Sequence, residues 1–326
     1  MRICVFGAGA VGGHLAAKLA ASGHDVSVVA RGAHLEAMRD RGISLIHGDK
    51  VISGRVRTRD PGVQDFVFVT LKANLLGAFA VAAAPLLGKD TGVVFAQNGV
   101  PWWYGIGLSG SRPRPPDLSK LDPGGKLKNV LGQKQIIGGV VYSANEMREP
   151  GVVVNNVPGN NMLVLGRADD GQSSSLDELR AALNQADMYS PPTGDIRQAV
   201  WAKIVQALGT GTLCTLAGIP IKEVRANPGL MGIAARLGAE GRAIAKAHGV
   251  DPAGAPARPS GQDTSGLINH KPSMLQDYER GRPMEIEAQL IAVLEFARAA
   301  AVPAPALETL VPLIAHKAAA KGLYGD

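Results

Sequence analysis

Short apolar runs separated by helix-like or irregular segments fill the first half of the chain. The runs with strand character lie at residues 3–6, 25–30, 65–70, 92–96 and 136–142. Because strands that alternate with helices usually form a parallel sheet covered by those helices, this half predicts a doubly wound α/β sheet. Two later runs, 151–154 and 162–165, leave no room for a crossover helix, so we expect them to form an antiparallel extension.

The pattern changes near Asp195, beyond which helical periodicity replaces the strand signals. Apolar residues recur at helical spacing over residues 196–217, 228–248, 273–280, 285–300 and 304–321. We therefore predict an α/β domain at 1–194 and an all-helical C-terminal domain at 195–326. Residues 101–135, which are rich in Pro, Gly, Ser and Lys, predict a long loop of the kind that often forms a functional lid or stays disordered.

Composition narrows the classes of function. The chain of 326 residues has a net charge of +6 without a concentrated basic stretch, which argues against nucleic acid as a partner and suits a small polyanionic ligand. Its two cysteines form neither a disulfide framework nor a metal signature, and its seven histidines show no zinc spacing, so we expect no metal.

The same residues bear on location and assembly. The uncharged apolar stretch at 73–88 is too short to span a membrane and is interrupted by Pro85, so we expect no membrane partner. The chain opens directly into a strand with no signal peptide. These features predict a soluble cytoplasmic protein, and they leave open whether it forms a homodimer.

The first turn of the chain carries the most specific motif. Strand 3–6 runs directly into Gly7-x-Gly9-x-x-Gly12, and a helix pattern at 14–21 and a second apolar run follow. In this context Gly7 permits the tight turn, Gly9 lets the backbone approach a pyrophosphate, and Gly12 lets the helix pack close to the strand. N–H groups at the start of the helix then face the phosphates. The motif predicts a Rossmann-type dinucleotide site; the alternative is a glycine-rich turn that binds nothing.

The end of the second strand bears on the choice of cofactor. NAD enzymes usually place Asp or Glu there to bind the ribose hydroxyls, whereas this chain has Val28, Val29, Ala30 and Arg31 and no carboxylate. A guanidinium suits a 2′-phosphate through its charge and its bidentate hydrogen bonds. We therefore predict NADP(H) rather than NAD(H); the alternative is that Arg31 is a solvated surface residue.

Polar residues at the ends of strands are candidates for chemistry. In open α/β sheets the ligand lies beyond the carboxyl ends of the strands, and Lys72 and Asn98 each follow a predicted strand. Lys72 could contact ribose or substrate, and Asn98 could bond the nicotinamide ribose or the substrate. A solvated lysine and an asparagine used for turn chemistry fit these positions equally well.

The helical half offers further candidates. Lys203 is a single cation among apolar neighbours, so it either extends to water or lies in a cleft as a general acid. Ser273 precedes a helical run and is predicted as its N-cap, with Gln276 at the capping-box position. Glu285 and Glu287 are predicted as first-turn acids that the helix dipole favours.

Short motifs in a fixed order carry a resemblance to a known family. They are GAGAVG at 7–12, VTLKA at 69–73, QNG at 97–99, WAK at 201–203, SMLQD at 273–277 and EIE at 285–287. On these motifs the chain resembles the ketopantoate reductase family (2-dehydropantoate 2-reductases) over nearly its whole length. The resemblance implies an NADP-binding Rossmann-type domain at 1–194, a helical substrate and catalytic domain at 195–326, and NADPH-dependent reduction of a 2-oxo acid to the 2-hydroxy acid.

The resemblance also implies roles for single residues. Lys203 matches the family's general acid, which protonates the forming alkoxide. Glu285 matches the acidic residue that hydrogen-bonds the substrate hydroxyls, and Ser273 matches a contact to the substrate carboxylate. Lys72 and Asn98 match residues that line the cofactor and the substrate.

The chain departs from the family pattern in two places. Members that act on ketopantoate usually carry asparagines four and eight residues after the catalytic lysine, where this chain has Ala207 and Gly211, and the segment 101–135 is longer than the compact family pattern. Loss of such hydrogen bonds can redirect specificity. One alternative is therefore the same reaction on a bulkier or less hydroxylated 2-oxo acid. Another is an NADP-binding sensor without turnover, against which the presence of Lys203 and Glu285 argues.

Overall fold

The computed structural model describes residues 1–108 and 110–325, and the chain divides into two compact units. The sheet unit consists of Met1–Gln97, Asp122–Ile196 and Pro256–Ser265. The helical unit consists of Asn98–Leu121, Arg197–Ala255 and Gly266–Asp326. The predicted division after residue 194 lies close to the change of unit at Ile196, but each unit also takes up a segment from the other side of that division.

Strands occur in the sheet unit only, within the part of the chain that the structure describes. In chain order they are β1 (Arg2–Phe6), β2 (Asp25–Val29), β3 (Ile43–His47), β4 (Lys50–Gly54), β5 (Phe66–Val69), β6 (Gly92–Phe95), β7 (Ile136–Tyr142), β8 (Asn145–Glu149), β9 (Val152–Asn155) and β10 (Met162–Arg167). A six-stranded main sheet has the order β10-β7-β6-β5-β1-β2 and is parallel except for β10, which runs antiparallel to β7. Strands β5 and β6 are buried on both faces, as parallel strands beneath helices are expected to be. The α/β fold class is therefore confirmed.

A second, four-stranded sheet has the order β4-β3-β9-β8 and was not predicted. Its strands are short, and β3 and β4 leave side chains partly or fully exposed, so polar residues interrupt the apolar pattern. The expectation for 151–154 was wrong, because β9 pairs with β3 and β8 in this second sheet. Residues 162–165 do form the antiparallel extension of the main sheet, as β10.

The helices of the sheet unit cover these strands. The α-helices are α1 (Ala10–Ala21), α2 (Gly32–Arg41), α3 (Leu76–Ala82), α4 (Lys126–Val130) and α5 (Ser174–Gln185), and 3-10 turns lie at Ala73–Leu75, Ala84–Leu86, Pro123–Gly125 and Gln133–Gln135. Helix α1 packs against strands of both sheets, so every residue from Gly12 to Leu19 is buried. An apolar helix of this kind is expected where protein covers all its faces.

Helices make up most of the rest of the chain. They are α6 (Ile196–Ala217), α7 (Ile221–Ala226), α8 (Pro228–Ala247), α9 (Ser273–Glu279), a π-helix at Glu287–Ile291 that continues into α10 (Ala292–Ala299), and α11 (Pro305–Ala319), with 3-10 turns at Ser119–Leu121, Pro252–Gly254 and Ser265–Asn269. The all-helical character predicted beyond residue 195 is confirmed. No helix in the described ranges 1–108 and 110–325 is long and apolar enough to cross a membrane.

Aromatic rings form the centre of the helical unit. Tyr104 and Trp201 each meet Phe296 edge to face, with ring centroids 4.8 Å and 5.4 Å apart. Trp103 is also buried, at 1% exposure. The aromatic start of the predicted loop 101–135 is therefore core, because these rings bury more apolar surface than any other side chains in the segment.

Candidate active site

The glycine turn after β1 has the geometry of a phosphate-binding loop. Gly7 has φ of +107°, and a Cβ there would lie 2.9 Å from Leu71 Cδ2. A Cβ on Gly12 would overlap the Gly7 carbonyl and the Thr70 hydroxyl. The Thr70 hydroxyl donates to the Gly7 carbonyl at 2.5 Å and so closes the turn from the neighbouring strand. Both glycines are therefore required by close backbone packing.

Gly9 differs from these two glycines because it faces open space. No atom would lie within 4 Å of a Cβ at this position. Gly9 is the N-cap residue of α1, has no side chain to cap the first turn, and no acidic side chain follows in that turn. A helix N-terminus with unoccupied space before it attracts an anion through its N–H groups and its dipole. The turn thus fits the pyrophosphate of a dinucleotide.

Lys72 and Arg31 lie at the same edge of the main sheet as this turn. Strand β1 pairs with both β2 and β5, with Phe6 opposite Val29 and Val69. Arg31 follows β2, is exposed, and is the N-cap residue of α2, whose first turn has no acidic residue. Lys72 follows β5, is partly buried, and precedes the 3-10 turn at Ala73–Leu75.

Gln97 stabilises this edge and was not singled out from the sequence. Its side-chain amide donates to the Val69 carbonyl at 2.6 Å and to the Leu71 carbonyl at 3.0 Å. These bonds fix the end of β6 to the end of β5, next to the glycine turn. Its place directly after a strand is the signal that could have identified it.

Asn98 begins the helical unit and is partly buried. The next residue, Gly99, has φ of +83°, and the Val100 N–H donates to the Ala288 carbonyl at 2.8 Å. Because Gly99 provides the positive φ that the turn needs, the Asn98 side chain is not required for the turn and can contact a ligand.

Lys203 lies in α6, two residues beyond the buried Trp201, and is itself partly buried. The Trp201 indole N–H donates to the Tyr104 hydroxyl at 2.8 Å. The guanidinium of Arg197, with no exposed surface, donates to the carbonyls of Tyr104 and Ile106 at 2.9 and 2.8 Å. These contacts hold the helix that carries Lys203 against the segment after Asn98.

Ala207 and Gly211 follow Lys203 by one and two helical turns. Spacings of four and eight residues place all three positions on one face of α6. Ala207 is exposed, and the nearest atom to a Cβ on Gly211 would be Pro272 Cβ at 3.8 Å. Ala207 therefore has room for a larger side chain, whereas at the buried Gly211 an added Cβ fits in van der Waals contact with Pro272.

Glu285 is buried and precedes its helix. It is 8% exposed, and one carboxylate oxygen accepts from the Gln289 side-chain amide at 3.3 Å. The prediction of Glu285 as a first-turn acid was wrong, because Glu285 lies before the helix and the acid of the first turn is Glu287. The backbone beside Glu285 is held in place, since the Met284 N–H donates to the Leu323 carbonyl at 2.8 Å. Glu287, in contrast, accepts from the Tyr324 hydroxyl at 2.9 Å.

Ser273 is exposed at the first turn of α9, and its predicted role as N-cap was wrong. The N-cap residue is Pro272, with φ of −56° and ψ of 150°, so the proline fixes the start of the helix. The Gln276 amide does not form a capping box but donates to the Lys271 carbonyl at 2.9 Å. Ser273 is the first residue of α9.

A buried polar cluster lies on the other side of the phosphate-binding helix. Lys18 is 2% exposed, and its Nζ contacts an Asp187 carboxylate oxygen at 2.6 Å. One turn earlier, His14 has no exposed surface, and burial, the Lys18 cation and His47 hold its pKa well below the ordinary value. Burial and Lys18 likewise lower the pKa of His47, against the opposing effect of Asp187. His14 and His47 are therefore neutral near pH 7.

The described ranges 1–108 and 110–325 contain no group of three or more His, Cys, Asp or Glu side chains that could hold a metal ion.

Known proteins share this arrangement. Residues 3–102 match the family model described as "Ketopantoate reductase PanE/ApbA", and residues 195–318 match "Ketopantoate reductase PanE/ApbA C terminal". A 2-dehydropantoate 2-reductase from Mesorhizobium japonicum is 39% identical, over 99% of this chain and 100% of its own.

Solved structures agree with these matches. The 2-dehydropantoate 2-reductase from Geobacter metallireducens GS-15 has a TM-score of 0.78 at 25% identity and covers 96% of this chain and 99% of its own. A D-mandelate dehydrogenase solved with NADH and anilino(oxo)acetate has a TM-score of 0.82 over 99% of this chain and 100% of its own; at 18% identity this likeness shows the fold alone. The chain belongs to the ketopantoate reductase family of nicotinamide-dependent oxidoreductases.

Proposed function

We propose that this protein reduces a 2-oxo acid to the 2-hydroxy acid with NADPH, and that ketopantoate is its substrate. The observation that carries the proposal is the turn from Gly7 to Gly12, in which open space at Gly9 precedes the start of α1. This geometry fits a dinucleotide, and relatives named 2-dehydropantoate 2-reductases support the reduction of a 2-oxo acid.

The three glycines, Lys72 and Asn98 would hold the cofactor, which supplies a hydride when it is bound. Asn98 would also contact the substrate. Arg31 supports NADP(H) over NAD(H), since it is an exposed guanidinium at the end of β2 where NAD enzymes usually carry a carboxylate. No acidic residue lies in the following first turn of α2 to repel a 2′-phosphate.

Lys203 is proposed as the general acid. Negative charge develops on the C2 oxygen during reduction, and an ammonium group stabilises that charge and then donates the proton. The partly buried position of Lys203 supports this role, because an electrostatic interaction is stronger where water is scarce. The buried Glu285 carboxylate would accept from a substrate hydroxyl, and Ser273 would contact the substrate carboxylate.

The test of this proposal is consumption of NADPH with ketopantoate and a panel of other 2-oxo acids. Turnover with ketopantoate as the best substrate supports the proposal. Binding of NADPH without turnover across the panel would instead favour the sensor that the sequence left as an alternative.

Ala207 and Gly211 favour a second candidate function, the same reaction on a bulkier or less hydroxylated 2-oxo acid. Ala207 is exposed and a Cβ fits at Gly211, and both positions lack the hydrogen-bonding groups expected for ketopantoate. In this case the double variant Ala207→Asn, Gly211→Asn should raise kcat/KM for ketopantoate by about tenfold, roughly 1.4 kcal/mol. A wild type that already prefers ketopantoate, with a double variant no better, would exclude these positions from substrate choice.

A further inference from the structure

The turn at Asn98–Val100 rests directly on the π-helix at Glu287–Ile291. The Val100 N–H donates to the Ala288 carbonyl at 2.8 Å. A Cβ on Gly99 would lie 2.6 Å from the Ala288 carbonyl carbon and 2.8 Å from the Gln289 nitrogen, where real Cβ atoms are not found. Gly99 also has φ of +83°, which favours glycine. Two separate constraints therefore require glycine beside Asn98.

The π-helix explains why the Ala288 carbonyl can accept this bond. In a regular α-helix the Ala292 N–H would donate to Ala288, four residues back. Here the Ala292 N–H donates to the Glu287 carbonyl, five residues back. The widened turn therefore removes Ala292 as a donor to Ala288. Single π-turns of this kind occur mostly inside α-helices and frequently at functional sites.

The same widened turn holds Glu285. The Gln289 N–H donates to the Glu285 carbonyl at 3.0 Å, and the Gln289 side-chain amide donates to the Glu285 carboxylate at 3.3 Å. On the preceding side, the Met284 N–H is bonded to the Leu323 carbonyl. Both the backbone and the carboxylate of Glu285 are thus held by named donors and acceptors.

We propose that Gly99 and Gln289 are positioning residues, and that the π-turn fixes Asn98 and Glu285 at one spacing for the 2-oxo acid. This inference rests on the proposed function, in which Asn98 and Glu285 contact the substrate. Small errors in placement are costly in catalysis, since a displacement of about 1 Å can reduce the rate on the order of a hundredfold.

The first test is Gly99→Ala. The added methyl must displace the turn at Asn98–Val100 from Ala288, so kcat/KM for the 2-oxo acid should fall by at least about tenfold. The Kd of NADPH should change by a smaller factor than kcat/KM, because Asn98 is one cofactor contact among several and the glycine turn of the sheet unit carries most of the cofactor binding. Gly23→Ala is the matched control: Gly23 has φ of +85° but no atom within 4 Å of its Cβ position. It carries the same backbone strain without the collision and should leave kcat/KM near that of the wild type.

The second test, Gln289→Leu, avoids any change in the backbone. It removes the donor to the Glu285 carboxylate with little change in volume. Ketopantoate is compared with 3,3-dimethyl-2-oxobutanoate, which differs from it only by the missing hydroxyl. The variant should raise KM for ketopantoate by about tenfold, which corresponds to the lower end of the free energy contributed by a hydrogen bond to a charged group. It should have little effect on KM for 3,3-dimethyl-2-oxobutanoate. Equal losses for both compounds would mean that Gln289 is merely structural and would overturn its role.

A third measurement does not depend on turnover. Hydrogen exchange of the Val100 amide should be slow in the wild type and at least about tenfold faster in Gly99→Ala, because the bond to Ala288 is then broken. Exchange of Val100 at the rate of an open loop in the wild type would overturn the inference even if every 2-oxo acid is reduced. Slow exchange in a wild type that reduces none of the panel would reject the proposed function, and unchanged kcat/KM in both variants of an active enzyme would reject the inference alone.

Discussion

The candidate functional residues of the two units are arranged in different ways. In the sheet unit the anion site consists of backbone: Gly7 and Gly12 allow close packing, and Gly9 leaves space before α1. In the helical unit the site consists of side chains that are far apart in the sequence, namely Asn98, Lys203, Ser273 and Glu285. A site made of backbone needs consecutive residues and leaves a local signature, whereas a site made of side chains does not. The comparison also predicts that damage to the two regions has different consequences.

The largest effect is expected from a side chain of the helical unit. Lys203→Ala should lower turnover at least about a hundredfold, while NADPH affinity stays nearly unchanged, because it removes the proton donor but no cofactor contact. Lys203→Arg should not restore the rate, since a guanidinium keeps its proton. Single-turnover kinetics and NADPH titration measure the two quantities. The exposed Lys246 in α8 provides a control as Lys246→Ala, and near-normal turnover in Lys203→Ala would require another proton donor.

The next effect separates two glycines of the sheet unit. Gly12→Ala forces a methyl group into the Gly7 carbonyl and the Thr70 hydroxyl, so we expect a loss of about 1–3 kcal/mol in the free energy of unfolding together with lost NADPH binding. Gly9→Ala meets no protein atom and should leave stability within about 0.5 kcal/mol, yet still weaken NADPH binding about tenfold. Thermal unfolding and NADPH titration distinguish them. Equal loss of stability in both variants would contradict the distinct roles.

Acid should affect the stability of the sheet unit through His14. Its pKa is lowered in the folded protein, so the unfolded chain binds more protons and stability is complete only above the ordinary value of 6.5. As the pH falls from there to about 5, the free energy of unfolding should fall with a slope approaching about 1.4 kcal/mol per pH unit for this group. His14→Leu should flatten the slope in denaturant titrations. If the free energy of unfolding of His14→Leu falls with pH as steeply as that of the wild type, groups other than His14 cause the acid sensitivity.

The smallest effect is expected from Arg31, a side chain of the sheet unit, whose candidate anion site otherwise consists of backbone. Wild-type protein should bind NADPH at least tenfold more tightly than NADH, about 1.4 kcal/mol for one charge-assisted contact, and Arg31→Ala should remove most of that difference. Isothermal titration with both cofactors gives the ratio. Equal affinities in the wild type would show that Arg31 is a solvated surface residue.

The fold was predictable where the information is local. The strands of the main sheet are apolar runs bounded by turns, and the glycine turn lies in six consecutive positions, 7–12. The second sheet was missed because β3 and β9 pair residues 44 and 152, and no short window contains that pairing. Half-exposed strands also hide their pattern among polar residues.

The candidate site shows the same limit. Lys72 and Asn98 could be proposed from topology, because strand ends collect ligands in open sheets. Glu285 and Ser273 gained roles only by resemblance, and local rules misplaced both. Pro272, not Ser273, is the N-cap residue of α9, and the Glu285 carboxylate accepts a hydrogen bond from Gln289. The π-turn could not be predicted from the sequence, because its Ala288 carbonyl accepts from the Val100 N–H, and the two residues lie far apart in the chain.

The position of α1 between two sheets has a consequence for how the chain folds. The strands β3 and β4 emerge early in synthesis, but β9, which pairs with β3, and β8, which completes the second sheet, come only after β7. The side of α1 that packs against β8 and β9 therefore stays exposed until residues 145–155 have been synthesised. Contacts between such distant segments carry a high entropy of loop closure and slow folding. We expect chains truncated before residue 145 to expose α1, to be cut there by proteases, and to bind the chaperones that recognise apolar helices.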